Sequence, residues 1–135
     1  MPVHPRLDHP IAIGRTAEVY AWQEGQVLKV FHDWVTTNSI NYELRVSRLV
    51  QATGLPVPAV IGNMVELNGR RGICYEWVNG PSMLEVITSH PLSLRKNMLL
   101  LGELHAKMHS RQETNLPSQR QCLREKILSA EPLSE

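Results

Sequence analysis

Apolar and polar positions alternate with period two from Val19 to Glu24. Val19, Ala21 and Gln23 face one way, and Tyr20, Trp22 and Glu24 the other. Val27, Leu28, Val30 and Phe31 then make an apolar run around a single charge, Lys29. The run is too short for a helix and rich in strand formers. Glu24-Gly25 between these stretches has hairpin-turn chemistry, with glycine where a positive φ is needed. Ile11 to Phe31 therefore reads as three short strands on a tight meander, with Gly14 in the first turn and Lys29 in the third strand.

The period then changes to that of a helix. Tyr42, Val46, Leu49, Val50 and Thr53 form one stripe on a helix from about Ser39 to Thr53, capped by Asn38 or Ser39, ended by Gly54 and kept from resuming by Pro56. Val60, Ile61, Met64, Val65 and Leu67 lead to Asn68-Gly69, a strong hairpin turn, and Gly72 to Val78 returns as a strand that Asn79-Gly80-Pro81 breaks. The expected result is a five-strand antiparallel meander with one helix inserted between strands three and four, covering one face. Beyond Gly80 the chain reads as helical. Ser82 caps a short helix that Pro91 stops, and a longer one spans Leu92 to Ser110 with Leu94, Met98, Leu101, His105 and Met108 as its stripe. Ser118 to Gln121 matches a capping box for a helix to about Ala130, and Pro132 to Glu135 looks like the start of another.

Composition narrows the function classes. A chain of 135 residues is one domain, or one domain and part of another. A net charge of +1 offers no electrostatic basis for binding nucleic acid or acidic membranes, and Arg120, Arg124 and Lys126 on the last helix are offset by Glu125. The longest apolar run, Met98 to Leu101, is far too short to cross a bilayer, and the proline-rich lead-in Met1 to Pro10 has no signal-peptide core. Cys74 and Cys122 lack metal-ligand spacing and read as reduced thiols of a cytoplasmic protein. His4 and His9 have no ligand cluster around them. His105 and His109 stand at i, i+4, but no glutamate follows His105, so core packing or a cap is the simpler role.

The candidate chemistry starts with Lys29. A lysine among four apolar neighbours either snorkels outward or meets an anion. Glu43, fourteen residues on, sits at the margin of the helix stripe, where it is either solvated or paired with a cation on the sheet, Lys29 being the obvious one. A glycine turn that lets backbone approach phosphate, with a strand lysine opposite, makes a nucleotide-phosphate clamp.

The order of parts resembles a protein-kinase-like small lobe, and the wording resembles the aminoglycoside phosphotransferase and choline-kinase-like family. IGRTAEVYAW is similar to that family's glycine loop, VLKVF to its strand-three lysine, and YELRVSRLVQATGLPVPAVIG to its αC helix and following turn. GICYEWVNGPSM is similar to its hinge, LGELHAKMHS to its first large-lobe helix, and LPSQRQCLREKILSAEPLSE to a helical insert of some bacterial members. The resemblance implies an α+β fold: a five-stranded antiparallel sheet plus one αC-type helix over residues 1–78, then the hinge and first helices of an incomplete large lobe over 79–135. It implies an ATP-dependent phosphotransferase that moves the γ-phosphate to a hydroxyl of a small molecule. In that frame Gly14 matches the second loop glycine, Ala12 and Ala17 replace the first and third, and Thr16 sits at the loop tip. Lys29 would bind the α- and β-phosphates, Glu43 would hold Lys29, and Glu76 and Val78 would meet adenine through backbone groups, with Tyr75 behind the base.

The same resemblance shows what is missing. The family's catalytic aspartate lies in a His-x-Asp-x-x-x-x-Asn run, with a second aspartate downstream for Mg²⁺. The only aspartates here are Asp8 and Asp33, neither in such a run. The expectation is that no catalytic or metal residue is present, that the chain alone is inactive, and that it is a fragment, a truncated product or half of an assembly. The alternative is a catalytically dead, pseudokinase-like module that holds nucleotide or docks a partner. It could self-associate through the exposed face of the 92–110 helix.

Overall fold

A computed structural model describes residues 9–130. His4, Asp8 and the expected helix start at Pro132 lie outside them. Strands β1 (Ala12–Ile13), β2 (Ala17–Ala21), β3 (Gln26–Phe31), β4 (Val60–Leu67) and β5 (Arg70–Glu76) form one antiparallel sheet. The three-strand opening is as read, including the left-handed backbone of Gly25 at φ 71°.

The strand order corrects the expected meander. It is β1-β2-β3-β5-β4, so the last strand inserts beside β3 and β4 takes the edge. Burial explains the choice. Gly72, Ile73 and Cys74 of β5 are buried consecutively, which requires cover on both faces and neighbours on both sides. The middle of β4 carries an irregularity at Gly62 and Asn63, tolerated at an edge, where Arg48 binds the Gly62 carbonyl at 2.7 Å and the Asn63 Oδ1 at 2.9 Å. Gly72 also lets β3 and β5 approach: a Cβ there would stand 2.9 Å from the Lys29 carbonyl oxygen.

Helix α1 (Thr37–Ala52) starts two residues earlier than expected. Its cap is Thr36, whose hydroxyl accepts from the Ser39 N–H at 3.2 Å, rather than Asn38 or Ser39. The inward stripe also differs. Ile40 is buried and Leu44 packs with it against Ala17, Phe31 and Ile73, whereas Tyr42 is 50% exposed. Counting apolar residues favoured Tyr42; the sheet selects the face that bears Ile40. The opposite sheet face packs Tyr20, Leu28, Val30 and Cys74 under Trp22, Ile61, Val65 and Leu67.

Strand β5 stops at Glu76 rather than Val78. Helix α2 (Met83–Ser89) has a complete capping box between Ser82 and Glu85. A 3-10 turn over Pro91–Ser93 precedes α3 (Leu94–His109), which therefore begins after Leu92. Helix α4 (Gln119–Ser129) starts at Ser118, but the expected capping box does not form, since the Ser118 side chain makes no cap hydrogen bond. None of α2, α3 and α4 has a buried residue.

Candidate functional site

Register puts the candidate residues on one face. Lys29 pairs with Val19 on one side and Ile73 on the other, and Val27 pairs with Ala21 and Tyr75. Directly opposed residues of antiparallel strands share a face. Val19, Val27, Lys29, Ile73 and Tyr75 therefore point to the face that α1 covers.

Helix α1 meets that face through a polar contact. The Lys29 Nζ lies 2.5 Å from Glu43 Oε1, with side chains 28% and 34% exposed. The same Glu43 oxygen accepts from the Tyr75 hydroxyl at 3.3 Å, and that hydroxyl lies 3.2 Å from Ser47 Oγ, one helical turn beyond Glu43. The Lys29 ammonium also stands 5.0 Å from the centre of the Phe31 ring, close enough for a cation–π contribution. Burial pushes the Tyr75 hydroxyl above the ordinary tyrosine range; the Ser47 hydrogen bond opposes this in part, and the Glu43 charge and hydrogen bond add to it. It is a neutral donor at physiological pH.

The glycine turn is fastened differently from the simple clamp picture. The Gly14 N–H donates to the Ala17 carbonyl at 2.8 Å, and the Gly14 carbonyl lies 3.2 Å from His32 Nε2. The Gly14 N–H is thus engaged within the turn, and the tip is formed by Arg15 and Thr16. At the other end of β3, Glu76 pairs with Gln26, donates its N–H to Ala59 at 2.8 Å, and is followed by Trp77, whose N–H binds Gly25 at 2.8 Å. Val78, past the strand end, is 66% exposed. Lys29 therefore lies on β3 between the Gly14–Thr16 turn, beside His32, and the Glu76–Val78 segment, beside Gln26. At about 3.3 Å per residue, that layout spans roughly 20 Å.

Of the sequence candidates, Lys29 and Glu43 touch through side chains, and Tyr75, expected behind the base, reaches Glu43 through its hydroxyl. The reading missed Ser47 and the hydroxyl role of Tyr75. Ser47 was findable from its i+4 spacing to Glu43. Tyr75 was not, because its approach to Glu43 depends on β5 lying beside β3. A cavity of about 230 Å³ near the β4–β5 turn, lined by residues including Phe31, Asp33, Ile40 and Arg71, is separate from Lys29. Among the described residues no group of three or more His, Cys, Asp or Glu side chains could hold a metal, and no helix is long and apolar enough to cross a membrane.

This geometry agrees with a comparison against known families. The model of the phosphotransferase enzyme family (APH) matches residues 9–125. The chain belongs to that family. The APH match takes in Gly14, Thr16, Lys29, Glu43, Glu76 and Val78 alike, and it continues through the helices after the sheet. No curated protein and no solved structure matches the chain.

Proposed function

We propose that the chain is the nucleotide-binding part of an ATP-dependent small-molecule kinase, with residues 1–78 as the nucleotide lobe and 79–135 as the hinge and first helices of a second lobe. The observation that carries this is the ion pair joining Lys29 on β3 to Glu43 on α1 at 2.5 Å. An ammonium held by a carboxylate, part-exposed on a sheet face with Val19 and Val27 beside it, suits a polyphosphate with its base on the apolar strand surface. Lys29 binds the α- and β-phosphates and Glu43 orients it. The Gly14–Thr16 turn covers the phosphates through its tip, and the Glu76 carbonyl and Val78 N–H receive adenine.

The acceptor is a hydroxyl of a small molecule. Magnesium, which this function entails, finds no group of three or more His, Cys, Asp or Glu side chains among the described residues. A base is also lacking, since neither Asp8 nor Asp33 stands in a His-x-Asp run. Each such charge-stabilising group is worth about 10²- to 10⁵-fold in phosphoryl transfer, so this chain alone binds nucleotide without useful turnover. Cys74 and Cys122 are free, in keeping with a cytoplasmic setting.

Calorimetric titration with ATP tests the reading. The unmodified chain is expected to bind, and Lys29→Met to bind at least tenfold more weakly. Equal affinity in the two proteins would remove Lys29 from the site. A second reading, a partner-docking module without catalysis, is favoured by the exposed Leu94, Met98, Leu104 and Met108 on α3. A monomer at all concentrations in light scattering would argue against self-association through that face.

A further inference from the structure

We propose that Tyr75 is a positioning residue for the Lys29–Glu43 pair, its hydroxyl holding the Glu43 carboxylate where Lys29 is presented to phosphate. The inference rests on the nucleotide-site reading above and deepens it. A lysine and a glutamate of this exposure, each on a long flexible stem, form a weak and mobile pair when left to themselves. Presenting the ammonium in one place requires something stiffer to fix the carboxylate. Tyr75 has that property. Its ring packs against the cluster formed by Ala17, Phe31, Ile40 and Ile73, so the hydroxyl has little freedom. That hydroxyl reaches the same Oε1 that Lys29 holds, at 3.3 Å, with Ser47 Oγ 3.2 Å away on its other side. Once the tyrosine donates to Glu43, its oxygen is an acceptor for the serine hydroxyl. The hydrogen bonds then run Ser47 to Tyr75 to Glu43, with Lys29 as the second donor to the carboxylate.

The position of Tyr75 in the chain gives this contact a consequence. It immediately precedes Glu76, the start of the segment proposed to meet the base, so the strand that delivers the base contact also sets the phosphate lysine. Loss of the hydroxyl alone should therefore loosen phosphate while leaving base recognition intact. A ring that served only as packing, or only as the back wall of a base pocket, would not divide the two.

The test uses the full chain and Tyr75→Phe, which keeps the ring, with circular dichroism and thermal melting to establish that the variant is folded. ATP affinity is measured by calorimetry, and adenosine binding by NMR shifts at high ligand concentration. Tyr75→Phe is expected to bind ATP about tenfold more weakly and adenosine unchanged. Added to Lys29→Met, it should cause no further loss, because the tyrosine acts through the lysine. Ser47→Ala should give a smaller loss in the same direction. Unchanged ATP affinity in Tyr75→Phe, with Lys29→Met still weakened, overturns the positioning role and leaves the nucleotide site standing. Parallel losses for ATP and adenosine, or additivity with Lys29→Met, overturn it as well. If Lys29→Met itself binds like the parent, or the parent binds no ATP, the nucleotide-site reading fails and takes this inference with it.

Discussion

The sheet with α1 and the helices after Glu76 solve the same burial problem with opposite results. Among the described residues, every fully buried one, including Leu28, Val30, Ile40 and Ile73, belongs to the first region. The second has clear apolar stripes and no buried residue, and Leu99 on α3 is 61% exposed. An amphipathic pattern specifies which face of a helix wants cover, but cover comes only from a surface of matching shape. The candidate site follows this division. Lys29, Glu43 and Tyr75 sit on elements locked by the two core clusters, whereas Val78 lies beyond the last strand.

Core truncation should divide the regions most sharply. Leu28→Ala or Ile73→Ala is expected to cost about 2–5 kcal/mol, while Leu99→Ala on α3 should stay within about 0.5 kcal/mol. Denaturant melts of the three variants make the comparison, and equal losses would show that α3 is packed in solution.

Glycine substitutions should sharpen it with opposite signs. Gly72→Ala places a Cβ 2.9 Å from the Lys29 carbonyl oxygen and should cost about 1–3 kcal/mol by pushing β3 from β5. Gly102→Ala in α3 meets nothing within 4 Å and should stabilise the helix by about 0.5–1 kcal/mol. Thermal melting reads both, and a stabilising Gly72→Ala would contradict the close strand approach.

Acid should act on the sheet through Glu18. The Tyr20 hydroxyl, 2.8 Å from its carboxylate, and then Arg70, also at 2.8 Å, hold that carboxyl below its usual range. A depressed folded value means the stabilisation is complete above the ordinary glutamate range and is lost as pH falls through the folded value. Glu18→Gln should therefore be less stable at neutral pH and show a smaller further loss on acidification. Parallel stability–pH curves for the two proteins would remove Glu18 from the acid response.

At α2 the expected effect is local. Ser82 and Glu85 cap each other, and the Ser82 contacts lower the Glu85 carboxyl. Ser82→Ala should cost about 1 kcal/mol of local helix stability, read as faster amide exchange in Met83–Ser89 with little change in the global melt. A global loss would mean that α2 is cooperative with the sheet.

Much of this was legible in the chain. The Gly25 and Asn68-Gly69 turns, the strand runs and the Ser82 cap follow from local chemistry, and one charge left among apolar neighbours made the Lys29–Glu43 pairing one of two outcomes to expect. Some of the errors have equally plain reasons. Thr36 lost the cap assignment to Asn38 and Ser39 because all three can cap. Tyr42 entered the α1 stripe because hydropathy does not reveal which side the sheet lies on. The Ser118–Gln121 motif promised a capping box that its side chain does not make.

The sequence by itself determined the elements, because period, turn residues and caps act within a few positions of one another. It also narrowed Lys29 and Glu43 to two outcomes each, solvated or paired, because a charge beside apolar neighbours must reach either water or an opposite charge. Only the tertiary structure decided that β5 lies between β3 and β4, since strand order depends on long-range burial that no local window contains. That order brings the Tyr75 hydroxyl to Glu43 and Ser47 and makes a four-residue network from what reads along the chain as an isolated ion pair.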